Sequence, residues 1–159
     1  MQRSSGSQRY QQPGWFTKHL FNPLVACLTR IGLPVAGSRV LEVRGRKTGE
    51  PRRTPVNPLQ LDADRYLVAP RGHTQWVKNV RADPAARLLA RGRSEQITLV
   101  EVTDQEAKLP ILRAYLRKWA WEVGTFFEGV GADSTGEELA RIAPDHPVFR
   151  VESSGARAE

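Results

Sequence analysis

The chain has 159 residues, 40% hydrophobic and 26% charged, which suits one domain with a packed core and excludes wholesale disorder. Its formal net charge of +7 favours anionic partners, whether nucleic acid, an anionic membrane face or a phosphorylated cofactor. The single cysteine, Cys27, excludes an intramolecular disulfide. No run reaches the ~20 apolar residues of a membrane span, so the expectation is a soluble, cytoplasmic protein.

Residues 1–13, rich in Ser, Gln and Arg, read as a flexible tail before a single domain over 14–152. Trp15, Phe16, Leu20 and Phe21 begin a helical approach. Asn22-Pro23 then reads as a cap followed by proline at the first helical position, with Gly32 as the stop. Cys27 lies in an apolar stretch of this helix, as a buried inert thiol. Val40, Leu41 and Val43 start a strand that ends at Gly45-Arg46-Lys47-Thr48-Gly49, a glycine-bounded turn. A second strand is expected from Arg52 to about Leu61. Pro55 and Pro58 cannot donate to a ladder, so it should be an edge or bulged strand. Asp62-Ala63-Asp64 turns the chain into a third strand, Arg65 to Ala69, ended by Pro70-Arg71-Gly72.

Thr74 to Arg81 reads as a short helix broken by Asp83-Pro84. Arg87–Ala90 and Gln96–Val102 form a hairpin around Arg91-Gly92-Arg93. Thr103-Asp104-Gln105-Glu106 resembles a capping box, and apolar residues then recur at helical spacing from Ile111 to Val123. Pro110 should divide this region into two helical pieces. Ser134–Glu137 caps a short helix ending near Ala143. His146–Val151 is the last strand, and 153–159 is expected to be a flexible tail. The sum is an α+β fold with a six-stranded antiparallel sheet, flanking helices and a closed or partly closed barrel.

Two segments can carry chemistry. Arg46, Lys47, Thr48 and the returning Arg52 gather cations and backbone donors around a small volume that suits phosphate. The same residues could equally be the solvated tip of a hairpin. In the second segment, Pro70-Arg71-Gly72 would let backbone approach a ligand. Trp76 and Asn79 fall one helical turn apart and offer a flat wall and an amide. Trp76 could instead be a core anchor. Tyr115, Trp119, Trp121, Phe126 and Phe127 read either as core or as pocket wall. No Cys/His spacing suggests a metal site, and no hydrolase elbow or P-loop is present.

Gly45-Arg46-Lys47-Thr48-Gly49-Glu50-Pro51-Arg52, then Pro55, then Trp76, Asn79 and Asp83-Pro84, resembles the signature of the coenzyme F-420-dependent, nitroreductase-like oxidoreductases. The Pro147-Val148-Phe149 ending is similar too, and the resemblance covers roughly residues 22–152. It implies a split β-barrel of the FMN-binding, pyridoxamine-phosphate-oxidase-like type. It also implies that Lys47 and Arg52 hold the phosphate and acidic tail of the deazaflavin, assisted by Arg46 and Thr48. Thr54, Pro55, Val56 and Asn57 would line the ring, with Ala69, Pro70, Arg71 and Gly72 on the other side and Trp76 and Asn79 closing the wall. The reaction implied is hydride transfer from the reduced cofactor to a quinone, an enone or a nitro compound. A protein acid or water then supplies the proton, with His73 and Tyr115 as the candidate acids, while His19 and His146 read as structural.

Three alternatives stay open on the sequence. One keeps the fold and binds FMN, as a reductase or a non-catalytic carrier. Another, a nucleic-acid-binding module using Arg91, Arg93 and the basic residues from Arg113 to Lys118, is less favoured, because the aromatics are not interleaved with basic residues on a readable strand face, and no nucleic-acid partner is expected. A membrane-surface contact through Trp15–Phe21 is compatible with catalysis. The resemblance makes a homodimer reasonable.

Overall fold

The computed structural model describes residues 37–155. The helix expected after Asn22, Cys27, the aromatic approach at 15–21 and the tail before it lie outside the described residues. Seven strands are present: β1 (Arg39–Arg44), β2 (Pro51–Val56), β3 (Leu59–Leu61), β4 (Asp64–Val68), β5 (Ala85–Ala90), β6 (Arg93–Glu101) and β7 (Val148–Ser153). They form one sheet in the order β2-β1-β5-β6-β7-β4-β3, with every pairing antiparallel.

The expected six strands become seven because the run from Arg52 to Leu61 breaks at Asn57-Pro58. Its halves lie on opposite edges of the sheet. A two-residue connection can join two edges only if the sheet curls until they meet, which makes it a rolled barrel. β2 is an edge strand, as its prolines require. The β5–β6 hairpin closes through Arg91 and Gly92 alone, at φ 46° and 73°. Two consecutive positive φ angles are the turn geometry that matches strand twist.

Strand alternation separates two cores. Inside the barrel, Leu41, Val43, Leu67, Ile97, Leu99 and Phe149 meet Val77 and Val80 of α1 (Gln75–Ala82), a helix that plugs one mouth. Outside it, α2 (Gln105–Val123) lays Ile111, Leu112, Tyr115, Leu116 and Trp119 on Leu59, Val68 and Val148. Leu139 and Ile142 of α3 (Gly136–Ile142) close this second core.

α2 is continuous through Pro110, contrary to the expected division. The proline ring removes one hydrogen bond near the first turns, and the apolar face beyond it is buried deeply enough to keep the helix whole. The cap also differs from expectation. Asp104, not Thr103, is the N-cap, accepting from the Glu106 N–H at 3.0 Å. At α3 the capping box is complete, between Thr135 and Glu138. Lys108 is buried in α2 and donates to the Ala143 carbonyl at the end of α3. Burial pushes its ammonium pKa down, and the Glu101 carboxylate opposes this. β7 runs through Ser153, and Ser154 N–H donates to the Gln96 carbonyl at 2.9 Å, so strand pairing extends past the expected boundary at 152.

Candidate functional site

The turn between β1 and β2 is held from within. The Gly45 N–H donates to the Glu50 carbonyl and the Gly49 N–H to the Gly45 carbonyl, each at 2.8 Å. A Cβ on Gly45 would lie 3.1 Å from the Glu50 carbonyl oxygen, 3.2 Å from Thr48 Oγ1 and 3.4 Å from Arg52 Nε. A side chain there would press on these atoms, and Arg52 folds back over the turn as its spacing suggested. Gly49 has φ 73°, a conformation that glycine adopts without strain. Thr48 Oγ1 accepts from the Glu50 N–H at 3.2 Å, so this hydroxyl shapes the loop.

α1 fixes the same turn from the side. The Asn79 side chain is buried, and its Oδ1 accepts from the Arg46 backbone N–H at 3.1 Å and from Arg46 Nη1 at 2.9 Å. Arg46 Nη1 also donates to Gln75 Oε1 at 3.0 Å. Arg46 and Asn79 are thus brought together, but as each other's partners. Gln75 escaped the sequence reading, although its place one turn before Asn79 on the same helical face was a usable signal. Lys47 and Arg52 are exposed and make no ion pair among the described residues. They are the cations left available at this turn.

Behind the turn, Glu42 is buried between two arginines of the neighbouring strands. Its carboxylate accepts from Arg53 Nε at 2.8 Å and Arg87 Nε at 2.9 Å, consistent with its register opposite both residues. The Arg87 guanidinium holds the Glu42 pKa below the carboxylate range, burial opposes this, and Arg53 adds to the lowering.

The second segment is also more self-contained than its sequence suggested. The Ala69 N–H donates to Pro147 and its carbonyl accepts from the Gly72 N–H at 3.1 Å. Ala69 is fully buried. Gly72 has φ 84°, and a Cβ there would lie 3.0 Å from the Asp145 carbonyl oxygen. The protein's own 143–145 turn demands that glycine, so close approach of a ligand is not needed to explain it. Arg71 lies over the Phe126 ring, 5.0 Å from its centroid, and Pro70 is half-buried beside it. Trp76 is half-buried, with its ring centroid 5.5 Å from that of Phe149. It is part core anchor and part exposed wall.

β2 leads away from the turn. Thr54 and Pro55 are half-buried, and Val56 is buried in the barrel core. At its end, Asn57 Nδ2 donates to Glu122 Oε2 of α2 at 3.2 Å, a contact that nothing in the sequence announced. Tyr115 is buried in the outer core, with its ring 6.2 Å from Phe127. Burial pushes its phenol well above the usual range, with Asn57 pulling the other way. His73 is exposed, yet Nε2 meets the Pro144 carbonyl at 3.1 Å and Nδ1 meets Arg81 Nη1 at 3.0 Å. The arginine can only donate, so Nδ1 accepts and Nε2 carries the proton. His146 is buried and stacked on Phe127 at 4.2 Å, the structural role expected of it. Among the described residues no cluster of His, Cys, Asp and Glu could hold a metal, and no helix is long and apolar enough to cross a membrane.

The candidate residues therefore fall into two groups joined by β2. Arg46, Lys47, Thr48, Arg52, Trp76 and Asn79 surround the glycine turn and α1. Asn57, Pro70, Arg71 and Tyr115 gather near the end of α2, with Glu122 and Phe126.

Solved structures share this architecture at low identity. An F420-H2 dependent reductase (FDR-A) superposes with a TM-score of 0.50 at 18% identity, over 73% of this chain and 94% of that one. A chain solved as a domain-swapped dimer gives 0.54 at 17% identity, over 87% and 97%. A Listeria innocua protein provisionally assigned as a pyridoxamine 5′-phosphate oxidase gives 0.51 at 13%, over 84% and 92%. These likenesses establish the split-barrel fold. A search of curated proteins finds no match. The family model of the F420H(2)-dependent quinone reductases matches residues 12–123, and the chain belongs to that family.

Proposed function

We propose that the turn Gly45–Gly49, with Lys47 and Arg52, is the anchor for the phosphate and acidic tail of coenzyme F-420 in a reductase of small electron-poor acceptors, quinones first. Dependence on the coenzyme follows from family membership; the acceptor and the roles of individual residues are this reading's own. The observation that carries it is the division of labour at the turn. Arg46 is consumed by Asn79 and Gln75, while Lys47 and Arg52 stay exposed and make no ion pair among the described residues. A preorganised loop with two uncommitted cations suits a multiply charged anion.

The reduced deazaflavin ring supplies a hydride when bound, and the protein supplies orientation and electrostatics. In this reading Thr54, Pro55 and Asn57 line the ring along the edge strand β2. Asn57 is oriented by Glu122, and Trp76 gives the flat wall. Arg71 and Phe126 border the acceptor. The completing proton comes from water. The buried Tyr115 phenol is a weak acid, and both nitrogens of His73 are engaged.

Titration of the purified protein with oxidised F-420 and, separately, with FMN tests the reading through intrinsic tryptophan fluorescence. Tight F-420 binding with quenching and weak FMN binding is the expected result. Preference for FMN would transfer the mechanism to a flavin on the same fold, and binding of neither would remove the turn from consideration as a cofactor anchor.

A further inference from the structure

The barrel has a second mouth, at the end of β1 away from the glycine turn. Six strand residues separate the two, about 17 Å at ~3.3 Å per residue. It opens on a cavity of about 930 Å³ lined by Arg39, Arg65, Arg91, Arg93 and Lys118, with Leu59 and Leu88 supplying apolar surface. The arginines are there by register. Leu41 and Val43 face the barrel interior, and so therefore does Arg39. Leu67 faces inward, and so does Arg65. Ile97 and Leu99 carry the same alternation back to Glu95 and Arg93. Where the interior rows end, apolar side chains give way to three arginines and one carboxylate.

That carboxylate is already used. Glu95 pairs with Arg65 and accepts from Ser153 Oγ at 3.0 Å. Arg39 folds its guanidinium onto the carbonyls of Gly37 and Ser38 at 3.1 and 3.0 Å. Lys118 lies over the Trp119 ring at 5.1 Å. None of Arg39, Arg91, Arg93 and Lys118 has a carboxylate partner among the described residues. The rest of the chain offers little relief. Residues 1–36 contain no Asp or Glu and bring Arg3, Arg9, Lys18 and Arg30, and beyond residue 155 the one acidic side chain is Glu159.

We infer that this mouth is a binding site for a small organic anion carrying at least two negative charges, of the phosphate-ester class. Like charges converging in a concave, partly apolar cavity raise the local potential. Guanidinium forks match phosphate oxygens, Leu59 and Leu88 suit an organic body, and the volume lies within the range of small-molecule sites. The site is independent of the coenzyme reading, since it shares none of that reading's residues.

The test is calorimetric titration of inorganic pyrophosphate into the full-length Lys47→Ala/Arg52→Ala protein at low salt, which removes the anion anchor at the other end. One-to-one binding is expected. It should weaken at least about tenfold when Arg91→Gln/Arg93→Gln is added, and again with Arg39→Gln. Arg91 and Arg93 are exposed at a hairpin tip, and far-UV circular dichroism checks that each variant is folded. Absence of binding in the Lys47→Ala/Arg52→Ala protein overturns the proposal. So does affinity that survives both further sets of substitutions, because the anion would then sit elsewhere.

Discussion

Lys47 and Arg52 differ from the other basic residues near the turn in what they leave unspent. Arg44 approaches Asp83 at 3.9 Å, Arg46 is tied to α1, and Arg53 is tied to Glu42. Charge-assisted hydrogen bonds from the two remaining side chains are worth about 1.5–3 kcal/mol each when desolvated and less at an exposed turn. The double substitution Lys47→Ala/Arg52→Ala should therefore raise the F-420 dissociation constant by about 30-fold or more and leave thermal stability nearly unchanged. Fluorescence titration reads the first and a melting curve the second; unchanged affinity would remove both residues from the anchor. His146 gives a prediction of a different kind. Burial holds its imidazole below the ordinary value of 6.5, with the Ala69 carbonyl opposing. A depressed folded pKa means that the unfolded chain takes up the proton first. The stability contribution is complete above pH 6.5 and is lost as pH falls from there through the folded value. Urea denaturation at neutral pH and at about pH 5 should thus show a larger loss for wild type than for His146→Gln, and equal losses would refute the assignment. At this scale the sequence made types and spacing readable but not partners. Lys47 and Arg52 stood out as cations around paired glycines. Asn79, however, looked like a ligand-facing amide until Arg46 was found on it, and Gly72 looked permissive until the Asp145 carbonyl was found against it. Partners 33 and 73 residues away cannot be read from a local pattern.

At the scale of elements, α2 shows which local rules packing overrides. Its apolar spacing from Ile111 to Val123 announced a helix, and its buried face matches that spacing. Pro110 announced a break that did not occur, because a proline near the start of a long helix removes one hydrogen bond while the deeply buried residues after it hold the axis. Pro110 is exposed, so Pro110→Ala restores a donor facing the Glu106 carbonyl and relieves the ring clash. This gain is partly offset by greater freedom of the unfolded chain. The net expectation is stabilisation by about 1–2 kcal/mol, seen as a higher urea midpoint with unchanged slope. A lower midpoint would mean that the proline sets a bend on which the outer core depends. At Asn57-Pro58 the fold overrides the local signal in the opposite sense. Two prolines in one strand signalled an edge, correctly, but the chain changes edges there altogether. The choice is made by barrel closure, which periodicity within ten residues does not encode.

At the scale of the whole molecule, the net charge of +7 was legible from the start as an attraction for anions. What composition could not supply was its distribution. Several of the acids are consumed close to home: Glu42 by Arg53 and Arg87, Glu95 by Arg65, Glu101 by Arg81, and Glu152 by Arg150. Among the described residues, these pairings leave cations without an ion pair at the glycine turn and at the far mouth of the barrel. The field around the turn should steer a multiply anionic coenzyme, and steering is the part of binding that salt screens. The screening length is about 10 Å at 0.1 M and about 3 Å at 1 M. Raising sodium chloride across that interval should weaken F-420 binding by about tenfold, chiefly through a slower association rate. The Lys47→Ala/Arg52→Ala protein should show a markedly flatter salt dependence, because its remaining affinity comes from contacts along the ring, which salt leaves in place. Stopped-flow fluorescence at several salt concentrations separates the two contributions. If wild type and the double variant share the same slope, the coenzyme's charges are held by other residues, and the turn would act as a rigid strand connection shaped by Asn79 and Gly45.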